Sequence, residues 1–168
     1  AYDARYRKVT QAFSKLMKHA GVKFAILGLE EKCNGDAARR MGNEYLAQTL
    51  MNENVGTLNR YNVKKIVTTC PHCFHSLKKE YPQFGGNYDV VHHTDFLLDL
   101  VTRGKIKISG SQRSTITFHD SCYLARYNGV IDSPRALLNS LPQSSVIEMP
   151  RSKDRGLCCG AGGGRMWM

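Results

Sequence analysis

Six cysteines hold the chemistry that can be read in this chain: Cys33, Cys70, Cys73, Cys122, Cys158 and Cys159. Cys70 and Cys73 form CPHC, and a CxxC spacing puts two thiolates on one turn, close enough to share a metal. Pro71 fixes the backbone where that turn begins. Cys158 and Cys159 are adjacent in RGLCCGAGGGRMWM (155–168), and four of the next five residues are glycine. Neighbouring thiols bridge to each other poorly but can bind one inorganic centre together. Six thiols in a chain without an export signal point to metal or redox chemistry more than to disulfides.

The elements that must position these thiols alternate in type. Residues 3–20 read as an amphipathic helix, with Tyr6, Val9, Phe13, Leu16 and Met17 at helical spacing. VKFAILGL (22–29) reads as a strand leading to Cys33. A helix is predicted over 36–54, with Ala38, Met41, Tyr45 and Leu50 on its buried side. VKKIVTTC (63–70) is a strand that delivers CPHC, and FHSLKKEY (74–81) a short helix. YDVVHH (88–93) is a strand, and TDFLLDLVTRG (94–104) a helix capped by Thr94. The polar stretch GKIKISGSQRS (104–114) marks a boundary, and the pattern then restarts. TITFHDSC (115–122) is a strand ending in Cys122, SPRALLNSL (133–141) a helix, and SSVIEM (144–149) a strand running into LCCGAGGG. Alternating strands and helices predict an α/β fold with mostly parallel sheets, in two similar lobes over 1–108 and 109–168. Ligands of such sheets gather at the C-terminal strand ends, and Cys33, Cys70, Cys122 and the Cys158–Cys159 pair all lie just after predicted strands.

Composition limits the alternatives. With 168 residues and 42% hydrophobic content, the chain can fill one ordinary core or two small ones. No apolar run reaches membrane-spanning length, and AYDARYRKVT is too charged for a signal core, so a cytoplasmic location is expected. The formal charge of +10 suits a solvated surface or an acidic partner. The basic residues are scattered, without helix-turn-helix or zinc-finger spacing, so no nucleic-acid partner is expected.

The cysteines also repeat. Aligning Cys33 with Cys159 makes the steps Cys33 to Cys70 and Cys122 to Cys158 nearly equal. A pattern C…CCG…CxxC then lacks its opening cysteine in the first copy and its closing CxxC in the second. Both missing pieces would fall just outside this sequence, which is therefore expected to be a fragment cut within both repeats. On this spacing, and on CPHC, HDSCYLARYNG and CCGAGGGRMW, the chain resembles the cysteine-rich CCG domain of heterodisulfide reductase-related iron–sulfur oxidoreductases. The likeness is greatest to the bacterial type that works beside electron-transfer flavoprotein.

The resemblance implies that Cys33, Cys70, Cys73, Cys122, Cys158 and Cys159 are metal ligands, for a [4Fe–4S] or noncubane iron–sulfur cluster. It implies electron transfer between a flavoprotein or other redox protein and quinone or another acceptor. Further domains of the parent would be partners, and would supply any attachment to the inner face of the membrane. His119 and the glycines Gly160, Gly162, Gly163 and Gly164 would surround the cluster, the glycines letting backbone N–H groups reach its sulfurs without a Cβ clash. The first repeat departs from the pattern, with Lys32 where a cysteine belongs. Four thiolates there would suit one cubane cluster or one zinc.

Rival readings accompany each motif. CPHC alone fits a thioredoxin-like redox pair, and a glycine-rich loop can cradle phosphate, although Gly-Lys-Ser/Thr is missing. The main alternative is a zinc-stabilised interaction module without redox activity. His72 and His75 read as solvated helix-end histidines, and one of His92 and His93 as facing inward. Arg126 and Arg165 suit either an anionic centre or the surface, and Tyr123 reads as core. No residues look like a general acid–base pair, so no catalytic residue is assigned. The fragment alone is expected to be inactive, as part of a larger oxidoreductase.

Overall fold

The computed structural model describes residues 4–110 and 113–168, without the side chains of Arg5 and Trp167. The predicted boundary stretch over 104–114 therefore falls partly outside the described residues. The chain is α/β, with two small parallel sheets. In the first, β1 (Lys65–Thr68) pairs with β2 (Asp89–His92), Lys65 opposite Asp89. In the second, β3 (Ser114–Ile116) pairs with β4 (Ser144–Val146), Ser114 opposite Ser144.

Around them lie α1 (Ala4–His19), α2 (Asp36–Arg40), α3 (Glu44–Arg60), α4 (Pro71–His75), α5 (His93–Thr102), α6 (Cys122–Asn128) and α7 (Asp132–Asn139). After α4 the chain continues through a π-helical turn, Ser76–Glu80, and a 3-10 turn, Tyr81–Phe84.

Two sequence expectations need correction. VKFAILGL forms no strand; Gly28–Glu30 is a 3-10 turn, and Phe24 and Ile26 are 43% and 76% exposed. A strand needs a neighbouring ladder, and among the described residues β1 pairs only with β2. Leu27 alone of this run packs into the nearest core cluster. The helix predicted over 36–54 is two helices. Gly42 takes φ +86, and the Asn43 side chain caps α3 by accepting from the Leu46 N–H at 3.0 Å. The break resets the helical phase. Met41 and Tyr45 are exposed, and α3 instead buries Ala47, Met51, Val55 and Leu58.

One core cluster joins Met51, Val55 and Leu58 to Tyr81 and Ile66. A second packs Met17 of α1 on Leu100 and Ile106, while Tyr6 and Val9 stay exposed. A third places Leu124 of α6 against Phe74 and Val90, so the halves share apolar packing. Ser133 of α7 extends that join by donating to Thr94 of α5 at 3.1 Å.

Candidate metal centre

Of the first thiol set, Cys33 sits on a loop and Cys70 and Cys73 at the start of α4, both clamped by buried polar side chains. Asn54 of α3 donates to the Cys33 carbonyl at 2.8 Å and to the Tyr81 hydroxyl at 3.2 Å. Tyr81 in turn donates to the Asn34 carbonyl at 3.1 Å. Gly35 follows with φ +85, and a Cβ there would lie 2.9 Å from the Ala47 carbonyl. The chain can cross α3 this closely only as glycine.

Asp36, 4% exposed, then reaches His72 inside CPHC, its carboxylate 2.7 Å from Nδ1. It also accepts from Arg40 at 3.1 Å and from Ser76 at 3.3 Å. Burial works to raise the Asp36 carboxyl, but the His72 hydrogen bond and charge, with Arg40, outweigh it and hold the group below its usual range. The same bond raises His72. His72 is thus held in place rather than solvated at a helix end, and Asp36 gained no role from sequence. Its signal was its place, three residues after Cys33.

Cys70 ends the run from β1 and caps α4. The Cys73 thiol donates to it, and the Cys73 and His72 N–H groups add to the pull, bringing Cys70 down to about 6. Cys73, the donor, is pushed up by the same bond and by burial. One thiolate beside one thiol is a half-assembled ligand pair.

The second set is built differently. Cys122 opens α6, and Cys158 and Cys159 lie on an exposed loop. The Gly160 N–H points at Cys158 Sγ at 3.4 Å and pulls that thiol down, helped by the Cys122 thiol and Arg126. Cys122 is raised by burial and by Cys158.

His119 Nε2 donates to the Leu157 carbonyl at 2.8 Å, which ties the Cys122 segment to the residue before Cys158. Asp120 is 2% exposed and takes two 2.8 Å bonds from Arg135, which also donates to Glu148. The Lys153 N–H completes the Asp120 shell.

These three thiols open on a cavity of about 880 Å³, which Arg126 and Arg165 also line. Arg40 and His72 of the first half form its other wall. His72 stacks on Tyr123, ring centroids 3.9 Å apart, and Tyr123 stacks on Tyr127 at 4.6 Å. Tyr123 is thus half-buried in an aromatic seam between the halves.

The glycines divide by role. A Cβ on Gly160 would meet nothing, but its φ is +75. At Gly162, Gly163 and Gly164 a Cβ would fall 2.7, 2.7 and 2.8 Å from His72, Arg40 and Met41. Among the described residues, no trio of His, Cys, Asp and Glu side chains is spaced to hold a single metal ion. The donor chemistry does fit a thiolate-bound cluster: each set pairs a thiol drawn toward thiolate with further cysteines, and the second opens on space for a multi-atom centre.

Comparison with known proteins agrees with these features. The family model for the CCG cysteine-rich domain matches residues 1–78 and 116–168. The chain is 52% identical over its whole length to a protein of Syntrophomonas wolfei named EtfAB:quinone oxidoreductase, covering 23% of it. It is 51% identical, again over its whole length, to a Bacillus subtilis protein named probable iron-sulfur-binding oxidoreductase FadF, covering 24%. Over 96% of the chain it is 40% identical to a Methanosarcina barkeri protein named as one component of a dihydromethanophenazine:CoB–CoM heterodisulfide reductase, covering 41%. The chain thus spans about a quarter of the length of the first two. No solved structure matches it. With both halves of the cysteine pattern matched, the chain belongs to the CCG cysteine-rich domain family.

Proposed function

We propose that this chain is an iron–sulfur electron-transfer module of a larger heterodisulfide reductase-like oxidoreductase. It would work in two repeats, 1–108 and 109–168. The observation that carries the reading is the convergence of Cys122, Cys158 and Cys159 on one cavity, with the Gly160 N–H 3.4 Å from the Cys158 sulfur. Cys33, Cys70 and Cys73 would hold one centre, and Cys122, Cys158 and Cys159 the other. A bound cluster would supply one-electron storage at a potential set by its surroundings.

The chain's own residues do the rest. Asn54, Tyr81 and Asp36 hold the first loop against α3 and α4. His119 and Asp120 bring Cys122 to the Cys158–Cys159 loop, and the Gly160 N–H favours thiolate at Cys158. Electrons would come from a reduced flavoprotein and pass to quinone or another acceptor, as the names of the relatives suggest. We place the parent in the cytoplasm, attached to the membrane only through other domains. No helix among the described residues is long and apolar enough to cross a membrane.

The test is anaerobic purification, with iron, acid-labile sulfide and zinc measured and EPR recorded on the oxidised and reduced forms. Iron and sulfide together, with a signal lost in Cys159→Ser, are expected. Zinc alone would favour the zinc-stabilised module, for which the Cys70–Cys73 pair, with Lys32 where a further thiol belongs, is the natural site.

A further inference from the structure

Gly162 offers a contact that its neighbours do not. Its backbone is not left-handed, so alanine there costs no strain of its own. The added Cβ would meet one residue only, His72, with Nε2 at 2.7 Å and Cε1 at 3.2 Å. Such a contact with the tip of a side chain is usually relieved by a small swing. Here the ring is not free to swing. Asp36 holds Nδ1 at 2.7 Å, and Tyr123 covers one face with centroids 3.9 Å apart. His72 belongs to the CPHC motif of the first thiol set, and Gly162 lies three residues beyond Cys159. Both line the cavity on which Cys122, Cys158 and Cys159 open.

We propose that the second thiol site is a composite of both halves, with His72 its fixed wall and Gly162 the contact through which the first site positions the Cys158–Cys159 loop. The two centres are then not independent. Whatever orders Cys70 and Cys73 also orders His72, and His72 sets where the second loop can rest. By linkage, ordering at either site favours the other. His72 is a positioning residue here, acting on the thiols through the loop. The proposal deepens the cluster-binding reading, yet its first test does not depend on it.

That test is a double-mutant cycle with Gly162→Ala and His72→Ala, read by maleimide labelling of Cys158 and Cys159 in the metal-free 168-residue chain. Peptide mass spectrometry resolves the two sites. Gly162→Ala should raise labelling of the loop several-fold. In the His72→Ala background, where the Cβ has room, it should add nothing. Asp36→Asn gives a second route if His72→Ala does not fold: a ring freed to swing should shrink the Gly162→Ala effect.

In chain reconstituted with iron and sulfide, the EPR signal lost in Cys159→Ser should change line shape in Gly162→Ala while urea stability hardly moves. Additive effects in the cycle, or no labelling change in Gly162→Ala, would overturn the proposal. An absent EPR signal in the unmodified chain counts against the cluster reading and leaves the labelling result to decide this one.

Discussion

The two thiol sets face the same task and solve it with opposite materials. The first is braced by side chains from its own half. Asn54 bonds the Cys33 carbonyl and Tyr81, and Asp36 bonds His72 of CPHC and Ser76. The second is braced at its base by Asp120 and Arg135, but its upper wall comes from the first half. A buried, satisfied network rigidifies what it touches. An exposed loop beside glycines has few rotamers to lock and takes its shape from what it leans on. The first site therefore carries its own polar bracing, with Tyr123 of the second half against His72, and the second is anchored below and leaned above.

The sharpest way to break that contrast is Asp120→Ala. It leaves the Arg135 guanidinium, 11% exposed, with only one of its two bidentate carboxylate partners, Glu148. Removing one member of a buried pair costs about 3–5 kcal/mol, and Glu148 should keep the loss near the lower figure. Urea unfolding measures the total. Hydrogen exchange should show the loss in β3, β4 and the cysteine loop, with β1 and β2 still protected. Equal loss in both sheets would mean that the halves unfold as one unit and the contrast is false.

Acid should act on the other half. Burial, with the charge of His93, holds His92 down to about 4. Its ring faces His93 at 4.4 Å and Phe74 at 5.7 Å, and Asp95 nearby pulls the other way. A depressed histidine favours the folded state while neutral, because the unfolded chain binds the proton first. The His92 contribution to stability should therefore be level above the ordinary histidine range and fall as pH drops from about 6.5 toward about 4, by on the order of 3 kcal/mol. His92→Gln should flatten that slope in urea titrations at several pH values. An unchanged slope would remove His92 from the account.

Strand-end placement is legible for CPHC, which follows β1 closely, but not for Cys33, which follows no strand, nor for Cys122 and Cys158, which lie well beyond the ends of β3 and β4. What the pattern could not carry was pairing at a distance. Asp36 and His72 are 36 residues apart, and nothing periodic links them. His72 therefore read as a solvated helix end. For the glycines, conformational freedom is legible in the sequence, and the structure adds their protein neighbours: a Cβ on Gly162, Gly163 or Gly164 would fall against His72, Arg40 or Met41. VKFAILGL had the composition of a strand, but composition does not supply a neighbour to pair with.

Asn54→Ala is the next probe of the first set. It removes hydrogen bonds to the Cys33 carbonyl and the Tyr81 hydroxyl, at about 1–2 kcal/mol for a buried polar pair. Maleimide labelling of Cys33 should rise while that of Cys122 stays level. If Cys122 responds as strongly, support passes between the sites by more than the His72 wall.

The smallest expected effect is the most local. Cys70 is drawn down to about 6 by the Cys73 thiol and by two backbone N–H groups. In the metal-free chain its alkylation rate should climb with pH and bend over near that value, because only the thiolate reacts. Cys73→Ser should leave the bend low, since a hydroxyl still donates to the sulfur, and Cys73→Ala should move it upward by removing the donor. A bend that ignores Cys73→Ala as well would mean that backbone N–H groups alone tune Cys70. The first set would then work by the same means as the second, where the Gly160 N–H faces Cys158 at 3.4 Å. The contrast between side-chain and backbone support would hold for the loops and not for the sulfurs.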